Sequence, residues 1–158
     1  MRTVHLAPML LLLAACATSG ANRSSEAWAG SPGEPIVKAD DVAGFWTGDW
    51  GNLILRQYGE AIWGAYGHRD GTLVGRLVDG VLVGWWTEEP SRAPDSDAGE
   101  LELRLVKRGE ELHLLGRYRQ GSAGAWHEEG WDLRRVADAP PPELERRFAD
   151  VGLFHPHP

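Results

Sequence analysis

The sequence predicts an all-β protein: an eight-stranded antiparallel up-and-down β-barrel with a short C-terminal helix. From residue 44 to residue 135, apolar and polar side chains alternate with a period of two, which is typical of strands with one buried face. Turns that are mostly glycine-containing interrupt the alternation at regular intervals, and each connection is too short to join parallel strands. Sequential antiparallel strands close most readily into a barrel, because closure leaves no exposed edge. A two-sheet sandwich remains the alternative.

The predicted strands follow one another through a barrel domain that spans residues 42–136. Asp79-Gly80, between two alternating runs, is the strongest hairpin signal in the chain. The expected strands cover residues 44–50, 53–58, 61–67, 72–78, 81–88, 100–106, 111–118 and 125–135.

The residues before the barrel have the composition of a targeting signal followed by a tether. Met1-Arg2 gives a positive start, and residues 6–17 form an apolar run. That run is shorter than the roughly 20 residues that span a bilayer, so it fits the hydrophobic region of a secretory signal peptide over residues 1–15. Residues 16–41 are rich in Ser, Gly and Pro and have no apolar period, which predicts a flexible tether.

Leu13-Ala14-Ala15-Cys16, at the end of the apolar run, resembles the bacterial lipobox. The resemblance implies that Cys16 becomes the first residue after cleavage and carries a diacylglycerol thioether. Two or three acyl chains anchor a protein stably, since each buried CH₂ contributes about 0.8 kcal/mol. Ala17, by the same resemblance, favours the outer membrane. The expectation is an outer-membrane lipoprotein; an ordinary cleavage site with an incidental cysteine is the alternative.

Four alternate strands carry a triplet of an apolar residue, a glycine and an aromatic ring, each two positions apart. The first is Trp46-x-Gly48-x-Trp50. Alternate residues share a face and alternate strands share a direction, so the four rings are predicted to point inward at one end of the barrel, the aromatic end. The longest connections lie there, which predicts an open mouth that binds a small apolar or aromatic ligand. The candidate ligand-binding residues are Trp50, Tyr66, Trp86 and Tyr118, with Gln57 as an inward polar group. The alternative is that each ring packs over a glycine of a neighbouring strand and fills the lumen.

Two further tryptophans, Trp63 and Trp85, point oppositely to the triplets and are predicted on the outer wall. Large exposed aromatic residues often mark interfaces, so both are candidates for contact with an envelope protein partner. The alternative is that the protein's own tail, residues 137–158, covers them. Its prolines end the last strand, and residues 143–154 predict a short amphipathic helix with Leu144, Phe148 and Val151 on one face.

Gly44-Phe45-Trp46 resembles the G-x-W signature of the lipocalin superfamily. In that family the tryptophan plugs the closed base, and a basic residue late in the last strand packs over it; Arg134 or Arg135 stands at that position. The wider pattern of Trp-x-Gly-x-Trp and Gly-x-aromatic is similar to short avidin-like, or calycin-like, barrels. The later lipocalin motifs and a recognisable biotin-binding set are absent. The resemblance implies a fold and a style of binding, not a ligand.

Several function classes are disfavoured by composition and spacing. A formal net charge of −7 argues against nucleic acid, and a single cysteine excludes an intramolecular disulfide and a cysteine-based zinc site. The histidines lack paired metal-ligand spacing, and Ser122 lacks the context of a nucleophile. Glu88-Glu89 and Glu128-Glu129 are interpreted as solvated surface. The sequence therefore predicts no enzyme, no metal and no cofactor.

The function predicted from the sequence is that of a non-enzymatic outer-membrane lipoprotein that binds through its mouth or its outer wall. An alternative is an accessory or structural component of an envelope complex, for adhesion, surface motility or transport. A further alternative is an inhibitor of an envelope enzyme. An open lumen favours the small-ligand hypothesis, whereas a filled lumen with uncovered Trp63 and Trp85 favours the complex.

Overall fold

The computed structural model describes residues 34–35 and 42–155, and it confirms the barrel. Its strands are β1 (Glu34–Pro35), β2 (Gly44–Gly48), β3 (Gly51–Tyr58), β4 (Ala61–Tyr66), β5 (Thr72–Val78), β6 (Val81–Thr87), β7 (Ala98–Arg108), β8 (Glu111–Gln120) and β9 (His127–Val136). From β2 to β9, each strand pairs antiparallel with its sequence neighbours, and β9 pairs with β2 to close the ring. The sandwich alternative is therefore wrong.

The two-residue strand β1 is an addition that the sequence does not predict. Glu34 and Pro35 pair with Lys107 and Val106 of β7, beyond Arg104, where the pairing of β6 with β7 ends. A strand of two residues carries no periodic signal, which explains why the sequence does not reveal it. The predicted signal peptide, Cys16 and the rest of the tether lie outside the described residues.

The inward-facing set that the period of two predicts forms one continuous core. Trp46 is fully buried, and ten aliphatic side chains from every barrel strand except β2 pack into the same cluster with it. Burying each such side chain contributes about 1.5–3 kcal/mol. The ten are Leu53, Leu55, Ile62, Leu73, Leu82, Leu101, Leu103, Leu105, Leu114 and Leu133.

Leucines, rather than rings, fill the space above the inward glycines at the waist of the barrel. A Cβ added to Gly64 would lie 2.6 Å from Cγ of Leu73, and one added to Gly116 would lie 2.1 Å from Cδ2 of Leu103. Each of these leucines stands opposite the glycine on the neighbouring strand. The glycines are thus needed because a narrow barrel leaves room for only one side chain of each such pair.

The end of the barrel opposite the aromatic end, the base, is closed by Trp46. Its indole N–H donates to the carbonyl of Val42 at 3.1 Å. Arg135 pairs with Trp46 in the β2–β9 register, and its guanidinium carbon lies 5.8 Å from the centroid of the tryptophan ring. A further hydrogen bond of 2.9 Å from Arg135 to the carbonyl of Ala43 holds it there. Of the two arginines that the sequence left open, Arg135 is the one over the ring.

The chain after β9 folds back along the outer wall. It contains one short helix, α1 (Pro142–Arg147), and a 3₁₀ turn at Val151–Leu153. This confirms the predicted C-terminal helix and its packing on the barrel. A second apolar cluster joins the tail to strands β3 and β4, and its buried members are Ile54, Ala65, Leu144, Phe148 and Phe154.

The predicted apolar face of the tail is wrong at one position. Val151 is 64% exposed, whereas Phe154 is buried. The reason is that α1 ends at Arg147, and Asp150 then accepts a hydrogen bond of 3.0 Å from the amide of Gly152 as the 3₁₀ turn begins. The change of helix type rotates Val151 away from the wall and brings Phe154 onto it.

Candidate binding site

The four rings predicted to line a mouth do meet at one end of the barrel, but they pack together and close it. Trp50 stacks on Trp131 with 5.6 Å between ring centroids, and Tyr66 meets Trp131 edge-on at 5.5 Å. Trp86 meets Tyr118 edge-on at 6.0 Å. Stacked and edge-to-face pairs each contribute about 0.5–1.5 kcal/mol beyond the burial of their area. The aromatic end is therefore a plug continuous with the core. The open mouth is wrong, and the alternative of rings that close the lumen is the arrangement observed.

Trp131 of β9 is the central ring of this plug, and it is not among the residues predicted from the sequence. Its alternation with Leu133 is a signal that could have placed it inward. The Trp131 indole N–H is the one buried side-chain polar atom without a hydrogen-bond partner among residues 42–155. An unpaired buried donor costs about 1–3 kcal/mol.

Gln57 lies at the base, away from the rings it was grouped with. It stands opposite Ile62 in the β3–β4 register, whereas Tyr66 is at the other end of β4. Four residues of strand separate these two levels, a distance of about 13 Å. The Gln57 side chain is exposed, and its amide donates to the carbonyl of Gly59 at 3.0 Å. The prediction that Gln57 belongs to the ring site is therefore wrong.

A buried carboxylate, Glu88, lies against the aromatic plug. The Tyr66 hydroxyl donates to Glu88 at 2.9 Å, and the second carboxylate oxygen lies 3.6 Å from a guanidinium nitrogen of Arg69 and 3.8 Å from Nε2 of His68. Only 3% of Glu88 is exposed, so its interpretation as solvated surface is wrong. The cause is the connection between β6 and β7, where Asp97 pairs with Arg69 and accepts a hydrogen bond from the amide of Ser91, which holds the loop beside Arg69.

Burial raises the pKa of Glu88, and this exceeds the lowering by the Tyr66 hydrogen bond and by the charges of His68 and Arg69. Burial also raises the pKa of Tyr66 well above its usual value, and the neighbouring carboxylate adds to the effect. Because both pKa values are raised, Tyr66 keeps its hydroxyl proton and donates it to Glu88, and Glu88 takes up a proton at a higher pH than an exposed glutamate does.

We expect Glu88→Gln to stabilise the protein more at neutral than at acidic pH. A carboxyl group whose pKa is higher in the native than in the unfolded state loses stability as pH rises through that interval, from about pH 4 upward. Glutamine keeps an oxygen that accepts the Tyr66 hydroxyl but has no proton to lose. Urea unfolding at several pH values measures the difference, with exposed Glu129→Gln as the control. Parallel stability profiles for Glu88→Gln and wild type would contradict the assignment.

The tail covers Trp63, the first of the two outward tryptophans. Phe154 stacks on Trp63 with 4.9 Å between centroids, and Phe148 stacks on Phe154 at 5.2 Å. Arg56 lies 4.4 Å from the centroid of Phe148 and forms a salt bridge with Glu145 of α1. The alternative that the tail packs on this wall is therefore confirmed for Trp63.

Trp85, the second outward tryptophan, lies beyond the tail's cluster and lines an open groove. Val74 stands opposite Trp63 on one side and opposite Trp85 on the other. The tail's cluster reaches Val74 and does not include Trp85, which is half-buried. The groove beside it, the Trp85 groove, crosses the outer faces of β5, β6 and β7 and has a volume of about 670 Å³.

Trp126, from the connection between β8 and β9, forms the far wall of the Trp85 groove. The guanidinium carbons of Arg117 and Arg119 lie 4.4 and 4.7 Å from the centroid of its ring. Both arginines are on the outer face of β8, so their cations hold Trp126 against that strand. Trp85 is on β6, two strands away, which separates the two tryptophans by about 10 Å.

Two cross-strand ion pairs underlie the groove between its tryptophans. Glu102 pairs with Arg117 through nitrogens at 2.8 and 2.9 Å from one carboxylate oxygen, and Glu100 pairs with Arg119 at 2.8 Å. Each pair is directly opposed in the β7–β8 register. Glu102 and Arg117 are 6% and 7% exposed, although they lie on the outer face of the barrel. Arg117 also donates to the exposed Glu128 at 3.2 Å. The lining thus presents two carboxylates that are held in place, each opposite an arginine.

No protein-family model, curated protein or solved structure matches this chain. The resemblance to lipocalin and avidin barrels therefore stays a prediction. Across residues 34–35 and 42–155, no group of three or more His, Cys, Asp or Glu side chains is placed to hold a metal ion. No helix in the described part of the chain is long and apolar enough to cross a membrane.

The sequence pointed to Trp85 but missed the rest of the groove. Trp126 was placed in the last strand, yet that strand begins at His127 and Trp126 folds across β8 from the loop before it. The alternation of Glu100 and Glu102, opposite Arg119 and Arg117, was a usable signal for cross-strand pairs. Their burial was not predictable, because it depends on the loop that carries Trp126.

Proposed function

We propose that this chain is a non-enzymatic lipoprotein of the bacterial outer membrane that acts by binding through the Trp85 groove. The anchor rests on the resemblance of residues 13–16 to a lipobox. The absence of a catalytic role rests on the sequence, which carries no nucleophile motif, no phosphate loop and no metal-ligand spacing. The binding role rests on the outer wall.

The observation that carries the proposal is the contrast between lumen and wall. The lumen is filled by leucines and by the aromatic plug, so a ligand there would have to displace packed side chains. The Trp85 groove, in contrast, keeps an open volume of about 670 Å³ between two tryptophans. Aromatic side chains around a concave surface are the usual anchors of a binding site. This favours a component that attaches to another part of the envelope over a carrier of a small apolar ligand.

A fractionation series tests both halves of the proposal. Wild-type protein is expected to take up labelled fatty acid and sediment with membranes, and Cys16→Ser is expected to take up none. In an unlipidated form, with the leader exchanged for a cleavable secretory signal and with Cys16→Ser, part of the protein is expected to remain on envelope fragments through the groove. Adding Trp85→Ala to that form should release it.

Tyr58→Ala is the matched control for the series, because Tyr58 is an exposed aromatic residue on the wall outside the groove. It should leave sedimentation of the unlipidated form unchanged. Fatty-acid labelling of Cys16→Ser would contradict the anchor. Equal sedimentation of the unlipidated form with and without Trp85→Ala would contradict binding through the groove.

A further inference from the structure

We infer that the Trp85 groove binds an uncharged oligosaccharide chain. The inference rests on the proposed function, since it names the ligand of the same groove. It is carried by three features of the lining: ion-paired carboxylates, two separated indole rings, and an open shape.

The ion pairs disfavour a charged ligand. Each lining carboxylate, Glu100 and Glu102, accepts a hydrogen bond from an arginine of β8, and Arg117 also pairs with Glu128 outside the lining. A cationic ligand would compete with these arginines, and an anionic ligand would meet the carboxylates. A neutral ligand avoids both costs. The exposed Glu60 and Arg76 at one side of the groove are of opposite sign and add no net charge.

The same pairs favour a ligand that both donates and accepts hydrogen bonds. Ionised carboxylates only accept, and guanidinium groups only donate. Sugar hydroxyls do both, so one ligand can donate to the lining carboxylates and accept from Arg76, the arginine among the lining residues. A proline-rich peptide, the other ligand typical of aromatic-lined grooves, has no N–H at its prolines and cannot donate to Glu100 or Glu102. Such a peptide would exclude water from the carboxylates and offer no donor for the lone pairs that the arginines do not use.

The two tryptophans supply flat apolar surfaces for the C–H faces of sugar rings. Trp126 is held in place by two cations, so it loses little conformational freedom on binding. Trp85 lies across the groove at a separation of about 10 Å, two strand spacings. The groove is open along the wall and has about 670 Å³, which suits a stretch of a chain rather than an enclosed monosaccharide.

Isothermal titration of the full lipidated chain in a zwitterionic detergent tests the inference; a maltoside detergent would compete for the groove. The neutral probes are chitotriose and cellotetraose, the anionic probe is a galacturonate oligomer, and the peptide probe is decaproline.

We expect saturable binding of at least one neutral probe, unchanged by added salt. Trp85→Ala and Trp126→Ala should each weaken it by about tenfold or more, while Trp85→Phe weakens it less and Tyr58→Ala leaves it unchanged. The melting temperature of each variant establishes that it is folded.

The other outcomes overturn either the oligosaccharide inference alone or the proposed binding function with it. Failure of both neutral probes to bind overturns the inference, as does binding that Trp85→Ala leaves intact. Decaproline binding that is lost in Trp85→Ala overturns the oligosaccharide but leaves the proposed binding function standing. Absence of binding by every probe, together with sedimentation that does not depend on Trp85, overturns both.

Discussion

Gly116→Ala is expected to lower the free energy of unfolding by about 3 kcal/mol or more, at the upper end of the cost of overpacking a core. The added Cβ would lie 2.1 Å from Cδ2 of Leu103, 2.8 Å from the carbonyl oxygen of Glu102 and 3.1 Å from Cβ of Trp131. Leu103 is fully buried, so it has no free space to enter. The backbone oxygen belongs to the β7–β8 pairing and cannot move without disturbing it. Urea unfolding monitored by circular dichroism measures the loss.

A double-mutant cycle with Leu103→Ala tests the cause of that loss. Leu103→Ala alone should cost about 2–5 kcal/mol, yet the double variant should cost less than the sum of the two single changes, because the smaller side chain leaves room for the new methyl group. Gly67→Ala is the control: no heavy atom lies within 4 Å of its added Cβ, and its φ of −74° suits alanine. It should be neutral or slightly stabilising. Additive costs at positions 103 and 116 would contradict the account of the filled waist.

Deletion of residues 140–158 is expected to lower the free energy of unfolding by about 4 kcal/mol or more. Leu144, Phe148 and Phe154 are each less than a tenth exposed, and burying such a side chain contributes about 1.5–3 kcal/mol, less the entropy of ordering the tail. The deletion also exposes Ile54 and uncovers Trp63, whose ring Phe154 covers. Thermal and urea unfolding of the shortened protein measure the effect.

Point substitutions within the tail provide the matched comparison. Phe154→Ala should lower stability by about 2 kcal/mol or more, because it removes the ring stacked on both Trp63 and Phe148. Val151→Ala, at a position that is 64% exposed, should change it by less than about 0.5 kcal/mol. An unchanged melting temperature after deletion would show that the packing of the tail on the barrel does not stabilise the protein. The reverse ranking of the two point variants would contradict the observed face of the tail.

The barrel was predictable because its signals are local and repeated. Leu101, Leu103 and Leu105 alternate with charged residues along one strand, and that period of two gives both the strand and its buried face. Short turns such as Asp79-Gly80 then leave antiparallel neighbours as the only arrangement. The pairing of β9 with β2 follows from closure rather than from any residue, which is why a sandwich could not be excluded from sequence.

The candidate site was predictable only in part, because it depends on which outward side chains are covered by the tail and by the long loops. Trp63 and Trp85 have the same outward signal, but one is covered by a tail whose path after α1 is set by the turn at Asp150. Glu88 has the sequence signal of a surface residue, and its burial depends on the path of the loop between β6 and β7. Gln57 was misplaced along the barrel axis, although the signal was available: it lies late in the second strand, which runs opposite to the ring-bearing strands and so ends at the base.

The most direct test of the account is fluorine NMR of protein in which all eight tryptophans are replaced by fluorotryptophan. The protein is titrated with the envelope extract that retains its unlipidated form, and the outer-wall signals are assigned with Trp85→Phe and Trp126→Phe. We expect the resonances of Trp85 and Trp126 to shift, while those of the buried Trp46, Trp86 and Trp131 stay in place. Shifts of the three buried rings, with Trp85 and Trp126 unchanged, would contradict it and return the binding site to the lumen.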